Sequence, residues 1–177
     1  MRKIFVTGMS GTGKSTLTKE FEKRNIPAFD IDQIIGSCNW YDKTTGKQED
    51  YYTGLGKEWL YNHEWICDFD WIRKRVESYP NEKMVIVAGS TTNQKSFLDY
   101  FDQIFLLQLD NETLKDRLTH RTTNDFAQDK SEQEYIIETK DDFEKDMINY
   151  GAIVLPATLP TETLADMIVK NIYNPKN

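Results

Sequence analysis

Five short apolar stretches punctuate the chain, at 3–7, 26–29, 83–88, 104–109 and 152–155. Each is nearly continuous rather than alternating, the pattern of parallel strands covered on both faces. Segments with helical spacing lie between them, at about 14–24, 56–78, 93–101, 111–121 and 132–149, with a last one near 161–173. Asn111 stands where a cap for the fourth belongs, ahead of Leu114 and Leu118, and Ser131-x-x-Glu134 has the form of a capping box for the fifth. Strand and helix alternate throughout. That alternation predicts an α/β fold with three αβα layers around a doubly wound, five-stranded parallel sheet, in one domain over 1–177.

Two segments interrupt the rhythm. The first, 36–71, is too long for a plain crossover and holds all four tryptophans, Trp40, Trp59, Trp65 and Trp71, with Tyr41, Tyr51, Tyr52, Tyr61 and Phe69. It is expected to form an aromatic-rich helical insertion, either stacking a base or sugar ring or serving as a sub-core of its own. The second is the polar loop 122–130, after a basic helix end, within a lid region expected over 117–132. Ligands of open α/β sheets bind at the carboxyl ends of the strands, where a substrate lobe and a lid both belong.

The first apolar run leads into candidate chemistry. "KIFVTGMSGTGKSTLTKEF" contains G-x-x-x-x-G-K-[ST], with Gly8, Gly13, Lys14 and Ser15 in the fixed places. Ile4, Phe5 and Val6 supply the strand that must precede it, and Leu17 and Phe21 the spacing of the helix that must follow. Polyphosphate is bound at low cost by a nest of main-chain N–H groups at a helix amino end, and glycines let the chain curl close around it. Gly8, Ser10, Gly11, Thr12, Gly13, Lys14, Ser15 and Thr16 are the expected phosphate-binding set. Lys14 is expected on the β- and γ-phosphates and Ser15 on Mg²⁺.

Phosphoryl transfer also requires a carboxylate for the metal and a group to orient the nucleophile. The third apolar run, "MVIVAGS", ends without one. Asp30 and Asp32 in "AFDIDQII" are the candidates, because residues two apart in an extended segment face the same way. One would serve the hydrated metal and the other a substrate hydroxyl, as anchor or general base. The competing reading is an Asx cap or solvated turn. Arg117 and Arg121 lie one helical turn apart, so their guanidinium groups are expected at the cleft mouth, over the γ-phosphate; surface pairing with the many acids is the alternative. Asn93 and Gln94, past Gly89, could hydrogen-bond substrate or only close a turn. His120 is read as solvated and His63 as structural.

Composition narrows the partners. A net charge of −7 argues against a nucleic-acid or anionic-membrane surface. No apolar stretch approaches membrane-spanning length, and Met1-Arg2-Lys3 runs straight into the first strand, so no signal peptide and a cytoplasmic location are expected. Cys38 and Cys67 form no C-x-x-C and read as reduced thiols.

With the phosphate loop, the D-x-D and the two-arginine helix assembled, the chain resembles the adenylate-kinase-like branch of P-loop kinases, and within it the shikimate kinase pattern. The resemblance implies the sheet order 2-3-1-4-5, ATP and Mg²⁺ as cofactors, Asp30 in the magnesium water shell and Asp32 on the acceptor hydroxyl. It puts Arg117 and Arg121 beside the lid, and Ala157 and Thr158 of "YGAIVLPATLP" beside the adenine. The chain departs from shikimate kinases at Gly89-Ser90-Thr91, where they carry three glycines, and has neither their substrate arginine after the D-x-D nor the D-G-x-P-R turn of adenylate kinases. Expected on this basis is an ATP-dependent kinase of a small-molecule acceptor such as a nucleoside, nucleotide or polyol. A slow NTPase or nucleotide switch with a protein partner is the second reading, and an idle fold the third.

Overall fold

The computed structural model describes residues 1–122 and 125–173. In chain order the elements are β1 (Arg2–Thr7), α1 (Lys14–Lys23), β2 (Ala28–Asp30), β3 (Cys38–Asp42), β4 (Gln48–Glu49), α2 (Gly56–Asn62), β5 (His63–Cys67), α3 (Phe69–Glu77), β6 (Met84–Ala88), β7 (Gln103–Gln108), α4 (Asn111–His120), α5 (Lys130–Asn149), β8 (Ile153–Pro156) and α6 (Thr161–Tyr173). Five strands form a parallel sheet in the order β2-β6-β1-β7-β8. Counting only these five along the chain, that is the expected 2-3-1-4-5.

Successive strand residues point to opposite faces, and here both faces are covered. Ile4 and Val6 of β1 join Leu17 and Phe21 of α1, Leu114 and Leu118 of α4 and Ile168 of α6 in one core. Phe5 joins Val85 and Val87 of β6, Ile72 and Val76 of α3 and Phe97 in the other. This two-sided burial is why the apolar runs do not alternate.

The insertion differs from expectation. It is not a helical lobe but a three-stranded antiparallel sheet, β4-β3-β5, with the short α2 packed beside it. The helix expected over 56–78 is broken by β5, whose Trp65 pairs with Trp40 and whose Cys67 pairs with Cys38. Trp, Ile and Cys fit a pleated, half-buried surface, and a partner strand some way upstream overrides helical spacing. Both cysteines are free and buried.

Smaller corrections have local causes. Asp110, not Asn111, caps α4, accepting from Thr113 N at 2.8 Å. Asp129, not Ser131, caps α5; the Ser131 hydroxyl instead accepts from Lys57 N at 2.9 Å. The helix expected over 93–101 is two 3-10 turns, Gln94–Ser96 and Leu98–Tyr100. There Asn93 donates to Cys67 O at 2.9 Å and accepts from Cys67 N at 3.1 Å, which fastens the segment to β5. Buried Gln94 accepts from Thr7 Oγ1. These two amides therefore hold the scaffold together.

Gly89, at the end of β6, is required by close packing. A Cβ there would stand 2.2 Å from Ile31 Cγ1, and Ile31 is fully buried. Gly89→Ala is expected to destabilise the fold by about 1–3 kcal/mol through overpacking, read as a lower urea midpoint at unchanged slope. An unchanged midpoint would mean that the Ile31 turn yields freely.

A phosphate-loop cavity walled by carboxylates and aromatics

The parallel register brings the strand ends to one edge of the sheet: Val6 and Asp30 are both level with Ala88. The loop after β1 curls between its neighbours and enters α1 through Gly13, which is left-handed at φ 101° and stands at the helix N-cap. Only glycine adopts that conformation without strain. Lys14 is buried, its Nζ donating to Gly8 O at 2.8 Å and Met9 O at 3.4 Å. Thr12 is turned inward, donating to Met9 O at 2.9 Å.

Asp30 does two jobs. Its Oδ1 accepts from Asp32 N at 3.0 Å, the Asx-type cap of a 3-10 turn over Ile31–Gln33, and its Oδ2 accepts from Ser15 Oγ at 2.5 Å. The competing sequence readings of Asp30 thus coexist on one side chain. Asp32 lies in that turn rather than in an extended segment, and still enters the same cavity. Its Oδ2 is 3.6 Å from Lys14 Nζ and accepts from Ser90 N at 3.1 Å, and its Oδ1 accepts from Trp65 Nε1 at 3.2 Å. Burial raises its pKa to about 6, against the lowering by Lys14 and with a further upward push from Asp30.

The arginines converge on the same loop. Arg117 donates from Nη2 to Ala157 O at 2.9 Å and from Nη1 to Thr12 O at 3.5 Å, tying the phosphate loop to the segment after β8. Arg121 donates from Nη1 to Ser10 Oγ at 2.7 Å. Among the described residues its Nε and Nη2 are buried with no hydrogen-bond partner. Burial lowers its pKa. Charged donors left unmatched beside a phosphate loop fit an anionic ligand.

These residues line one cavity of about 730 Å³. Ser10, Gly11, Gly13, Lys14, Ser15, Thr16, Asp30, Asp32, Arg117 and Arg121 all face it. Gly8 and Thr12 shape the loop from behind; Ala157 is buried and Thr158 exposed, both outside the lining. His120 is exposed at the rim, on Asp116, and His63 is structural, with Nδ1 at 2.7 Å from Trp59 O.

Sequence reasoning missed part of the site. Gln33 donates to Ser15 Oγ at 2.8 Å, and its place beside the D-x-D was the available signal. The Ser90 amide and Phe126 were missed as well, while Trp40, Tyr51 and Trp65 of the insertion, expected either on a ligand ring or in a sub-core, line the cavity. Of that lid, Thr123 and Asn124 lie outside the described residues. The rest is clasped to the insertion: Thr53 donates to Asp125 O at 2.7 Å, Tyr51 to Glu132 at 2.9 Å, and Gly54 N to Glu132 at 3.0 Å. The insertion is thus sub-core and cavity wall together.

A family profile described as an AAA domain (AAA_18) matches residues 4–138, which span the phosphate loop, both aspartates and both arginines. The chain belongs to that family. Among solved structures, this AAA domain is similar to deoxyadenosine kinase from M. mycoides with bound dATP, at 17% identity and TM-score 0.55, over 97% of this chain and 100% of that one. It is similar also to shikimate kinase from Acinetobacter baumannii, at 17% identity and TM-score 0.58 over 99% and 95%, and to a gluconokinase from Sinorhizobium meliloti 1021, at 15% and 0.54 over 99% and 98%. At such identities the likeness establishes the P-loop kinase fold. A curated relative, a UPF0200 protein from Thermococcus onnurineus (strain NA1), is 50% identical over 32 residues, 18% of this chain and 17% of its own length. No helix among the described residues is long and apolar enough to cross a membrane.

Proposed function

We propose that this AAA domain is an ATP- and Mg²⁺-dependent kinase of a small-molecule acceptor. The observation that carries this reading is Asp32, a carboxylate held by Trp65 and Ser90 opposite the phosphate-loop lysine, inside the cavity that also contains Arg121. Asp32 is only partly covered, with 22% of its side chain exposed, so an acceptor hydroxyl can reach it.

The triphosphate tail fits the amides at the start of α1, with Lys14 on its β- and γ-oxygens. Ser15 Oγ and Asp30 Oδ2 converge, and Gln33 orients the serine, so this pair would hold magnesium and its water. When bound, the ion neutralises charge on the phosphoryl oxygens. Asp32 takes the acceptor hydroxyl proton as that oxygen bonds to the γ-phosphorus and the bond to the bridging oxygen of ADP breaks. Arg117 and Arg121 balance the charge that develops.

A nucleotide switch with a protein partner would display its tryptophans; here all four are at least partly covered, and Trp40 and Trp65 face the cavity. ADP formation is expected to rise when the right member of a panel of nucleosides, nucleotides and sugars is added, with a phosphorylated product. Slow hydrolysis unchanged by every member would support the switch instead.

A further inference from the structure

The cavity is divided by charge. Its cations, Lys14 of α1, Arg117 of α4 and Arg121 at the end of α4, hold or touch the phosphate loop, and Asp116 and His120 of α4 line the rim on that side. The opposite wall is built from the Asp30–Gln33 turn, the 90–92 segment and the insertion with the lid. Among the described residues lining it, this wall contributes neither lysine nor arginine, and it does contribute Asp30 and Asp32. The lysines of the insertion are engaged elsewhere or outside the lining: Lys43 donates to Tyr61 O, Lys57 reaches Glu138, and Lys47 is exposed.

An acceptor carrying a carboxylate or phosphate on that wall would lose its hydration against two carboxylates, with Lys14, 3.6 Å from Asp32, taken up by the nucleotide. That arrangement is strongly unfavourable.

What the wall offers instead is flat apolar surface. Trp40 is stacked on Phe126 with centroids 5.9 Å apart at 26°, Trp65 lies 5.2 Å from Trp40, and Tyr51 lies 5.2 Å from Phe126. Two of the polar tips are occupied: Trp65 Nε1 is on Asp32, and the Tyr51 hydroxyl donates to Glu132 and accepts from Ala127 N. All four rings line the cavity, and a flat ring gains most from such a surface. An acyclic polyol could be answered by the Asp30–Gln33 turn and the 90–92 segment but would leave the aromatic surface unused.

We infer that the acceptor is an uncharged alcohol carried on a flat ring, a nucleoside-type molecule, whose ring packs on the Trp40–Phe126 wall and whose hydroxyl meets Asp32. This narrows the acceptor class and rests on the kinase reading only for the hydroxyl's fate. Discrimination against anions and acyclic polyols is a property of the wall itself.

The experiment is a matched comparison on the unmodified chain. Cytidine, thymidine, inosine and guanosine are set against their 5′-monophosphates, gluconate and xylitol, reading tryptophan fluorescence at saturating MgATP and, in parallel, phosphorylated product. At least one nucleoside is expected to quench saturably, bind about tenfold or more tighter than its monophosphate, gluconate or xylitol, and be phosphorylated. Trp40→Ala is expected to raise that nucleoside's KM about tenfold without raising the KM for ATP, with Trp40→Phe restoring most of the loss. Tighter binding of a monophosphate, gluconate or xylitol overturns the inference, and so does the absence of quenching by every nucleoside. Should an anion be the acceptor that is phosphorylated, the kinase reading stands and this one falls. Should a nucleoside bind selectively yet never gain phosphate, the kinase reading falls and the pocket's chemistry stands.

Discussion

Lys14→Ala is expected to lower kcat/KM for phosphotransfer by at least about a hundredfold, roughly 3 kcal/mol of transition-state stabilisation. The ammonium group is buried, anchored by the Gly8 and Met9 carbonyls, and stands 3.6 Å from Asp32. It is therefore fixed before the transferring phosphate gains charge, and no rearrangement is needed at that moment. Its removal has a second consequence. Lys14 is the charge that holds the Asp32 pKa down against burial, so the acid limb of the rate profile should move to higher pH in the variant. Steady-state kinetics across pH, with urea denaturation run alongside to separate misfolding, checks both effects. A variant that kept full turnover would remove Lys14 from the chemistry.

The second large effect is expected at Asp32. Asp32→Asn keeps the shape and the contacts to Ser90 and Trp65 within reach but cannot accept a proton, and a loss of about 10²–10⁴ in kcat is expected, the usual worth of a positioned base. In the unmodified protein kcat/KM should fall as pH drops through about 6, since the protonated carboxyl is inactive. That limb should be missing from the residual activity of Asp32→Asn. Stability runs the other way. The native state holds this proton more tightly than the unfolded chain does, because burial raises the pKa from 3.8 to about 6, so Asp32 adds stability as pH falls through that window. Asp32→Asn should flatten this part of the stability profile. If the rate limb persisted unaltered in the variant, the base would be another group.

The sheet and the phosphate loop were legible because their signals are local. A continuous apolar run of strand length, or glycines and a lysine in fixed register, means the same wherever the chain goes next. The D-x-D was legible in part. Its position after β2 placed it in the cleft, but the expected extended backbone is a 3-10 turn, since Asp30 caps the amide of Asp32. Residues 63–67 misread as helix for the opposite reason. Their identity as a strand depends on Cys38 to Asp42, and no period inside the segment reveals that pairing. The cap of α5 was misplaced on the same ground, since Ser131 was already engaged by Lys57 from the insertion.

The sequence by itself determined that this chain forms a P-loop sheet with a lysine, a serine and two aspartates at one edge, because neighbours along the chain set strand burial, helix entry and phosphate-loop geometry. Only the tertiary structure decided which groups face Asp32 and what closes the cavity. Trp65, Trp40, Tyr51 and Phe126 come together through an antiparallel sheet and a clasp on Glu132, contacts between segments far apart in the chain. The proton affinity of a carboxylate depends on the burial such contacts create, so the site's chemistry was fixed in space and not along the sequence.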